Sequence, residues 1–527
     1  MGLRHFVLSA ALSFAGVAGL SATAHTEDRV LKVSLQTELQ VLDPIITTIN
    51  ATRVFAYLVF DQLVAIDSEG HYKPQMLAGW DVSPDRLTYT FRLRDGLKFS
   101  DGASVTSEDC IASIGRWAKR EGFGAQLMDA ADRFQAIDAK TFELKLKRPF
   151  AFVIEALGKP GHQIPVIMPA RLASLDANTA VPEVVGSGPF IFLKDEWRPG
   201  AKAVFVRNPN YVPRSEPPDG LAGGKVVNFD RIELLSIPVQ STRVAALQKG
   251  EVDLLEIAPF DYIGLLRKDP NVTIGKQPAI AQNMIAINLN HAQPPFDNPL
   301  IRRALQVAVE QTDVMAGLGL PSDMSRACYS IYMCGNDGSS DAGTEYSRDV
   351  GPKAAEKLLK EAGYKGEPVV FLHAGTSAIL NPVGSVVADQ LKRAGFNVDL
   401  RTSDYATVAA RRLKKTPVAD GGWSVSPLVM TGIDLVNPLA QQMVSLNCME
   451  SNPGWYCEPA MNDLLKAYSQ ASTPAESKKY RDGIQAIFHK HVNYVLAGQF
   501  ATPPAYRSDL KGMIPFSFPV FWNVRRE

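Results

Sequence analysis

Residues 88–102 read TYTFRLRDGLKFSDG, and this stretch predicts a strand followed by two tight turns. Apolar residues stand at alternate positions, namely Leu87, Tyr89, Phe91 and Leu93. This two-residue period is typical of a strand with one buried face. The Asp-Gly pairs at residues 95–96 and 101–102 are turn signals.

Strand and helix patterns alternate along the rest of the chain. Thr106 and Asp109 have the spacing of a capping box, which predicts a helix to about residue 119. We expect strands at residues 30–35, 141–147, 232–237, 284–289, 369–373 and 398–401, and helices at residues 241–249, 299–310 and 382–394. The strand–helix–strand order over residues 369–401 predicts parallel strands with a right-handed crossover. The predicted fold class is therefore α/β.

The length and charge of the chain limit the classes of protein it can be. Its 527 residues exceed the roughly 250–300 that one hydrophobic core usually supports, so we expect at least two lobes. Lys and Arg together number 55, as do Asp and Glu, which gives a formal net charge of zero. A nucleic-acid-binding protein would need an excess of basic residues to neutralise phosphates. The balance argues against a nucleic-acid partner.

The amino terminus has the pattern of an export signal. Basic Arg4 precedes an apolar run at residues 6–20, and residues 22–24 supply the small-x-small pattern of a cleavage site. The apolar run is too short to span a bilayer comfortably. We therefore expect a signal peptide at residues 1–24, cleaved after Ala24, with an uncleaved membrane anchor as the alternative. No cysteine stands at the cleavage point, which argues against a lipoprotein.

Cysteine spacing predicts two local disulfides. Cys328 and Cys334 bracket a short segment, and Cys448 and Cys457 bracket another that contains an Asn-Pro-Gly turn signal. Close pairs in turn-rich segments of an exported chain are typical of disulfides. A four-cysteine zinc site is the alternative, but the usual Cys-x2-Cys spacing is absent. The remaining Cys110 lies in an apolar helix pattern and is predicted to be a buried free thiol.

Seven short segments, in the same order along the chain, resemble hallmark segments of the family 5 extracellular solute-binding proteins, the dipeptide and oligopeptide binders. The segments are TELQVLDP at residues 37–44, PQMLAGW at 74–80, YTFRLRDGLKFSDG at 89–102, GSGPF at 186–190, RNPNY at 207–211, ALQKGEVD at 246–253 and LLKEAGY at 358–364. Together they cover nearly the whole mature chain. The resemblance implies the clamshell fold of type II periplasmic binding proteins, in which two lobes joined by a hinge close around a solute.

The same resemblance implies how the chain is divided between the lobes. The first lobe carries an extra subdomain in this family. We place lobe I at residues 25–66 and 186–285, its extra subdomain at 67–185, lobe II at 286–497, and a C-terminal return to lobe I at 498–527. Solute binding would shift the population of open and closed forms toward the closed form.

The resemblance also nominates solute-binding residues. Gly422, Trp423 and Ser424 match a Gly-Trp segment at the second-lobe wall of the cleft, where the indole offers a flat apolar surface and one N–H donor. In peptide binders an aspartate soon after this Trp pairs with the amino terminus of the peptide. Here the next acid is Asp434, after a longer apolar loop, so Asp434 either replaces that aspartate or does not reach the site.

Two charged residues complete the set of candidates. Glu38 lies on the loop after the first strand, where an acid of this family can face a basic group of the peptide; a solvated loop carboxylate is the alternative. Arg411 precedes the Gly-Trp segment on a predicted helix and either faces the cleft or belongs to a solvated basic face with Lys414 and Lys415.

The predicted function is binding and transport, without catalysis. We expect a periplasmic component of an ABC importer that delivers a peptide or peptide-like solute to permease and ATPase subunits at the inner membrane, and that is a monomer. A non-peptide solute (an opine, an oligosaccharide or a metal complex) or a chemosensory role is the alternative. The sequence has no nucleophile–base–acid set, so we expect no enzyme, and we expect no cofactor and no metal site.

Overall fold

A computed structural model describes residue 2 and residues 29–348, 350–444 and 452–527. The predicted signal peptide and Cys448 therefore lie outside the described residues. Within the described ranges, no helix is both long and apolar enough to cross a membrane.

The strands form three larger sheets and two small ribbons. In chain order they are β1 Val30–Leu35, β2 Val64–Ile66, β3 Tyr72–Pro74, β4 Leu77–Val82, β5 Thr88–Leu93, β6 Ala131–Ala136, β7 Thr141–Leu146, β8 Phe190–Phe192, β9 Lys202–Arg207, β10 Arg231–Ser236, β11 Leu254–Leu255, β12 Val272–Ile274, β13 Asn283–Leu289, β14 Ser325–Arg326, β15 Val369–Ala374, β16 Val398–Ser403, β17 Val425–Thr431, β18 Tyr494–Phe500, β19 Ala505–Arg507, β20 Leu510–Lys511 and β21 Arg525–Arg526. β2 pairs with β3, and β20 pairs with β21.

The helices cover the sheets and connect their strands. In chain order they are α1 Asn50–Val59, α2 Ser107–Ala118, α3 Gly122–Ala130, α4 Val153–Leu157, α5 Ala170–Ala173, α6 Gln240–Lys249, α7 Ile263–Leu266, α8 Pro299–Ala308, α9 Gln311–Gly317, α10 Glu345–Arg348, α11 Pro352–Glu361, α12 Leu380–Arg393, α13 Tyr405–Arg412, α14 Pro459–Ser469 and α15 Pro474–His491.

The first large sheet has seven strands in the order β12-β19-β11-β1-β10-β9-β8. β1 pairs in parallel with β10 and β11, while β19, from the C-terminal segment, pairs antiparallel with β11 and β12. Strands from the beginning, the middle and the end of the chain thus build one sheet.

The second large sheet has six strands in the order β14-β18-β13-β17-β15-β16. β15 and β16 are parallel, which confirms the predicted strand–helix–strand unit. Every residue of β13 is buried, because this strand is central and pairs on both sides. β13 runs across the predicted 285/286 boundary, and all of it belongs to this sheet. The proposed lobe limits otherwise stay a prediction.

The stretch that opened the sequence argument lies in a four-stranded antiparallel sheet, in the order β4-β5-β7-β6. In β5 the side chains of Tyr89, Phe91 and Leu93 are buried, as the alternation predicts. The capping box is present at the start of α2, where Thr106 and Asp109 each bond the backbone of the other. Both local predictions are confirmed.

A buried ion pair joins helix α2 to the segment between β1 and α1. Asp43, in the Leu-Asp-Pro segment, lies 2.8 Å from Arg116 of α2, and both side chains are almost completely excluded from solvent. Asp43 also accepts hydrogen bonds from the backbone N–H groups of Ile45 and Val181. A buried carboxylate is tolerated only with such partners, so this motif residue has a structural role.

One predicted disulfide is present, and only one of the two cysteines of the other, Cys457, lies within the described residues. Cys328 and Cys334 are bonded, which confirms the prediction. Cys457 is also disulfide-bonded, and Cys448 lies outside the described residues. Cys110 is a buried free thiol, as predicted, and its burial raises its pKa far above the usual range.

Candidate functional site

Asp434 reaches from the second large sheet to a segment of the predicted extra subdomain. It lies in a short 3-10 turn just after β17. Its Oδ2 is 3.1 Å from Nδ1 of His162, and its Oδ1 is 4.0 Å from Nζ of Lys159. The hydroxyl of Thr431 donates a further hydrogen bond to it. This predicted site residue therefore sits at an interface between distant parts of the chain.

Gly161 allows the carboxylate to approach so closely. A Cβ atom added at Gly161 would overlap the carboxylate of Asp434, and the backbone of Gly161 is not in the left-handed region. The absence of a side chain, rather than an unusual backbone conformation, is therefore what this position contributes.

Neighbouring groups shift the pKa values of both Asp434 and His162. Burial alone would raise the pKa of Asp434, but His162, through its charge and its hydrogen bond, together with Lys159 and Arg53, outweighs burial and holds that pKa far below the usual range. Burial and the positive charge of Arg53 hold the pKa of His162 below its usual range, although Asp434 acts in the opposite direction. Lys159 has a second acidic neighbour, Glu121, at 3.6 Å.

Arg53 is a buried cation with unused hydrogen-bonding capacity. It lies on α1, only 4% of its surface is exposed, and its guanidinium stacks 4.5 Å above the ring of Phe518. Its Nη2 donates to the side-chain oxygen of Asn50 at 2.9 Å, whereas Nε and Nη1 have no partner among the described residues. Burial lowers the pKa of Arg53, and the charges of Asp434 and Glu256 oppose that shift.

Two cavities lie between the predicted lobes. The charged residues around Asp434 lie between these cavities. The larger, of about 940 Å³, is lined by both charged and apolar residues, among them Glu121, Phe123, Gln163, Leu439 and Leu465. The smaller, of about 280 Å³, is lined by residues that include Gln36, Arg243, Phe260, Leu318 and Ile379.

The connection runs through neighbouring charges. Glu121 borders the larger cavity and faces Lys159, which neighbours Asp434. Arg53 interacts electrostatically with both Asp434 and Glu256, and Glu256 accepts a hydrogen bond at 2.7 Å from the backbone N–H of Gln36 at the smaller cavity. Such a buried row of charges is a functional-site candidate on physical grounds.

The Gly-Trp segment is packed inside the protein. Trp423 is 0% exposed and lies against Trp455 with ring centroids 6.1 Å apart. The hydroxyl of Ser424 accepts a hydrogen bond from the backbone N–H of Val370. The indole face is covered by protein rather than offered to a cavity, although its N–H has no partner among the described residues.

Arg411 holds the turn that precedes this tryptophan. Its Nε donates to the carbonyl of Gly421 at 3.1 Å and its Nη2 to the carbonyl of Gly422 at 2.8 Å. These bonds favour a structural role for Arg411 over the predicted contact with solute. Gly422 has a separate steric reason, because a Cβ there would overlap the backbone carbonyl of Thr416.

Glu38 lies beside another part of the first large sheet. It borders a small cleft with Trp197, Arg198 and Gly200, and Gln40 donates a hydrogen bond to it. None of the contacts recorded for Glu38 within the described ranges reaches Asp434. Among the predicted site residues, Asp434 has side-chain contacts with another part of the chain, at Lys159 and His162. The roles of Glu38, Arg411, Gly422, Trp423, Ser424 and Asp434 in solute binding stay predictions.

Known proteins match this chain over most of its length. The family model described as "Bacterial extracellular solute-binding proteins, family 5 Middle" matches residues 71–433. The chain belongs to this family. The predicted family is thereby confirmed, and the proteins of this family and the relatives below are binding proteins of transporters.

Relatives of this family 5 protein carry names of peptide binders. A "Probable peptide ABC transporter periplasmic-binding protein" of Sinorhizobium fredii is 35% identical over 510 residues, which cover 96% of this chain and 94% of the relative. A "Glutathione-binding protein" of Escherichia coli is 26% identical over 471 residues and covers 86% of each chain.

Solved structures of the same fold confirm the type II clamshell architecture of this family 5 protein. The periplasmic binding protein DppA of Helicobacter pylori, in complex with a peptide, has a TM-score of 0.77 at 22% identity and covers 94% of this chain and 98% of the other. AgaA from "A.tumefacien R10", in complex with agropinic acid, has the same TM-score and identity and covers 94% and 99%.

Sequence reasoning missed Arg53, His162 and Lys159. His162 and Lys159 lie in a segment without a strong helix or strand pattern, so nothing local marks them. Arg53 carried a usable signal, because it is the only charged residue among the ten of α1, and the helix around it is buried. A lone charge in a buried helix requires either a partner or a ligand.

Proposed function

We propose that this chain is the solute-binding component of an ABC importer and that it captures a peptide or peptide-like solute between two closing lobes. The observation that supports this most strongly is the contact of Asp434 with His162 and Lys159, which joins the predicted second lobe to the subdomain of the first. In this proposal the contact forms when the lobes close, and it links closure to the residue predicted to bind the amino group of the solute. The names of the relatives support the peptide class.

In this proposal the protein acts by closing around the solute and does not make or break a covalent bond. The solute completes interactions with both lobes only in the closed form and shifts the population by its differential affinity for that form. The mature protein would act as a monomer in the periplasm, after cleavage at Ala24, and would deliver the solute to permease and ATPase subunits. We propose no catalytic activity.

Native mass spectrometry of protein purified from the periplasm without denaturation tests this proposal. We expect a bound species whose fragments are amino-acid residues, and we expect the same species to be recovered unchanged after hours with the protein. Recovery of an oligosaccharide or a metal complex would contradict the peptide class. Conversion of a peptide pool by the protein, absent with a heat-inactivated sample, would contradict a purely binding function.

A further inference from the structure

A second contact joins the predicted extra subdomain to the predicted lobe II, through residues other than Asp434. The backbone N–H of Ala151 donates to the carbonyl of Ser469 at 2.8 Å. Both Nη atoms of Arg86 lie 3.4 Å from the carbonyl of Ala471, to which they donate. Residues 86 and 151 belong to the predicted subdomain, and residues 469 and 471 belong to the predicted lobe II, so these hydrogen bonds cross the boundary that must open in a hinge motion.

The acceptors of these hydrogen bonds lie at the C-terminal end of α14. This helix ends at Ser469. The last carbonyl groups of an α-helix have no partner within the helix, and the partial negative charge at that end favours a cation such as Arg86. Water can replace both donors when the two parts separate, so the contact can open without leaving a buried polar group unpaired. The contact is therefore suited to repeated opening and closing.

Aromatic packing accompanies the hydrogen bonds. The ring of Phe152 stacks on that of Tyr468, with centroids 4.5 Å apart and an angle of 27° between the planes. Phe150 packs edge-on against Phe152, with centroids 6.4 Å apart. Phe150 and Ser469 also line the larger cavity of about 940 Å³. The contact between the subdomain and α14 thus borders this cavity.

Arg86 has a backbone conformation that is uncommon for its residue type. It lies in the turn between β4 and β5, and its φ of 59° is in the left-handed region, which favours glycine. Backbone hydrogen bonds close this turn, from the N–H of Ser83 to the carbonyl of Thr88 and from the N–H of Arg86 to the carbonyl of Ser83. Because glycine would suit this backbone better, the contribution of the arginine is its side chain, which reaches Ala471 beyond the end of α14.

We propose that the extra subdomain acts as a clasp, formed by Arg86, Ala151 and Phe152, which holds the end of α14 when the two lobes close. The contacts of the clasp are made between parts of the protein itself. The clasp therefore favours the closed form to the same degree for every solute and raises the affinity without selecting among solutes. The inference rests on the closing motion of the proposed function and is independent of the class of solute.

Hydrogen exchange at the amide of Ala151 tests the clasp, because this N–H is bonded across the boundary. Exchange rates are measured on the intact protein by mass spectrometry with fragmentation to single residues. The interior amides of β5 are the reference for unfolding of the subdomain itself. The variants are Arg86→Gly, which suits the backbone of the turn, and Arg86→Lys. Arg133→Gln is the matched control, because Arg133 is an exposed arginine of the same four-stranded sheet and pairs with Asp132.

We expect the amide of Ala151 to exchange faster than those of β5 in the wild-type protein, because separation of the lobes frees it without unfolding the sheet. Arg86→Gly should raise the rate at Ala151 by about 10-fold, as for the loss of a hydrogen bond from a charged donor, and should raise the rates of the β5 amides far less. Arg86→Lys should give a smaller increase at Ala151, and Arg133→Gln should give none.

Equal rates at Ala151 and in β5 of the wild-type protein would show a permanent interface and would overturn the inference. An unchanged rate at Ala151 in Arg86→Gly would overturn it as well, and so would an increase that the β5 amides share in full. None of these results depends on which solute binds. The class of solute is decided separately, by the species that native mass spectrometry finds.

Discussion

The carboxylate of Asp434 lies 3.1 Å from the ring of His162, although 272 residues separate them along the chain. One of them follows a strand of the six-stranded sheet, and the other belongs to the segment before β8. A hinge motion that separates the two predicted lobes must therefore break this pair. Like a bound solute, the Asp434–His162 pair can form only when the two predicted lobes are close together.

Asp434→Asn should weaken the binding of peptides with a free amino group. If the carboxylate pairs with the amine of the solute, its loss leaves a buried cation without a partner, at a cost of about 2–5 kcal/mol. Calorimetry with a peptide and its N-acetylated form measures this effect. We expect the wild-type protein to prefer the free amine and Asp434→Asn to lose that preference. Asp420→Asn, at an exposed position nearby, is the control; unchanged affinity in Asp434→Asn would remove this residue from the site.

Gly161→Ala should hold the lobes apart. The added methyl group would occupy the position of the Asp434 carboxylate, so the closed form loses stability while the separate lobes are unaffected. We expect a larger radius of gyration by small-angle X-ray scattering in the presence of solute, and weaker binding. Gly264→Ala provides the comparison, since nothing lies within 4 Å of a Cβ there. Scattering curves identical to those of the wild-type protein would show that closure does not need this approach.

Asp43→Asn should lower the free energy of unfolding by about 3–5 kcal/mol, because it leaves the buried Arg116 without its counter-charge. Chemical denaturation followed by tryptophan fluorescence measures the loss. The exposed pair of Asp81 and Arg92 gives the contrast: Asp81→Asn should leave the denaturation curve unchanged, because solvent screens that pair. Equal losses for the two substitutions would contradict the assigned role of Asp43.

The stability that His489 provides should decrease in acid. His489 is buried between the Ser347 hydroxyl and the Tyr329 carbonyl, and burial lowers its pKa to about 4. Below roughly pH 6.5 the unfolded chain takes up a proton that the folded chain refuses until about pH 4, so the contribution is present above pH 6.5 and is lost as the pH falls.

We therefore expect the stability advantage of the wild-type protein over His489→Gln to shrink between pH 6.5 and pH 4, by up to about 1.4 kcal/mol per pH unit. Urea denaturation at several pH values gives this difference. Parallel pH curves for the wild-type protein and His489→Gln would contradict the assignment.

The sequence predicted features that depend on neighbours along the chain. The strand Thr88–Leu93 and the Thr106–Asp109 capping box were found because their determinants lie within a few residues of each other. The family hallmarks extended this to the overall fold. The charged group at Asp434 was only partly predicted, because its partners come from residues 53, 159 and 162, and no local pattern encodes such a contact.

The role of Trp423 illustrates the same limit. The Gly-Trp pattern predicts a wall of the cleft, and the structure places Trp423, just before β17, in a packed cluster with Val408. The residues between Ser424 and Asp434 were predicted to form an apolar loop, but Val425–Thr431 form β17, and Asp434 lies in the turn just after this strand, where it faces His162.

The position of β19 has a consequence for biogenesis. This strand, at Ala505–Arg507, lies between β11 and β12, although it is made some 230 residues after β12. The seven-stranded sheet therefore lacks one inner strand, β19, until almost the entire polypeptide has been synthesised. A chain truncated before residue 505 could not seal that gap, and a chain threaded through a translocon from its amino terminus would reach the far side before it could fold completely.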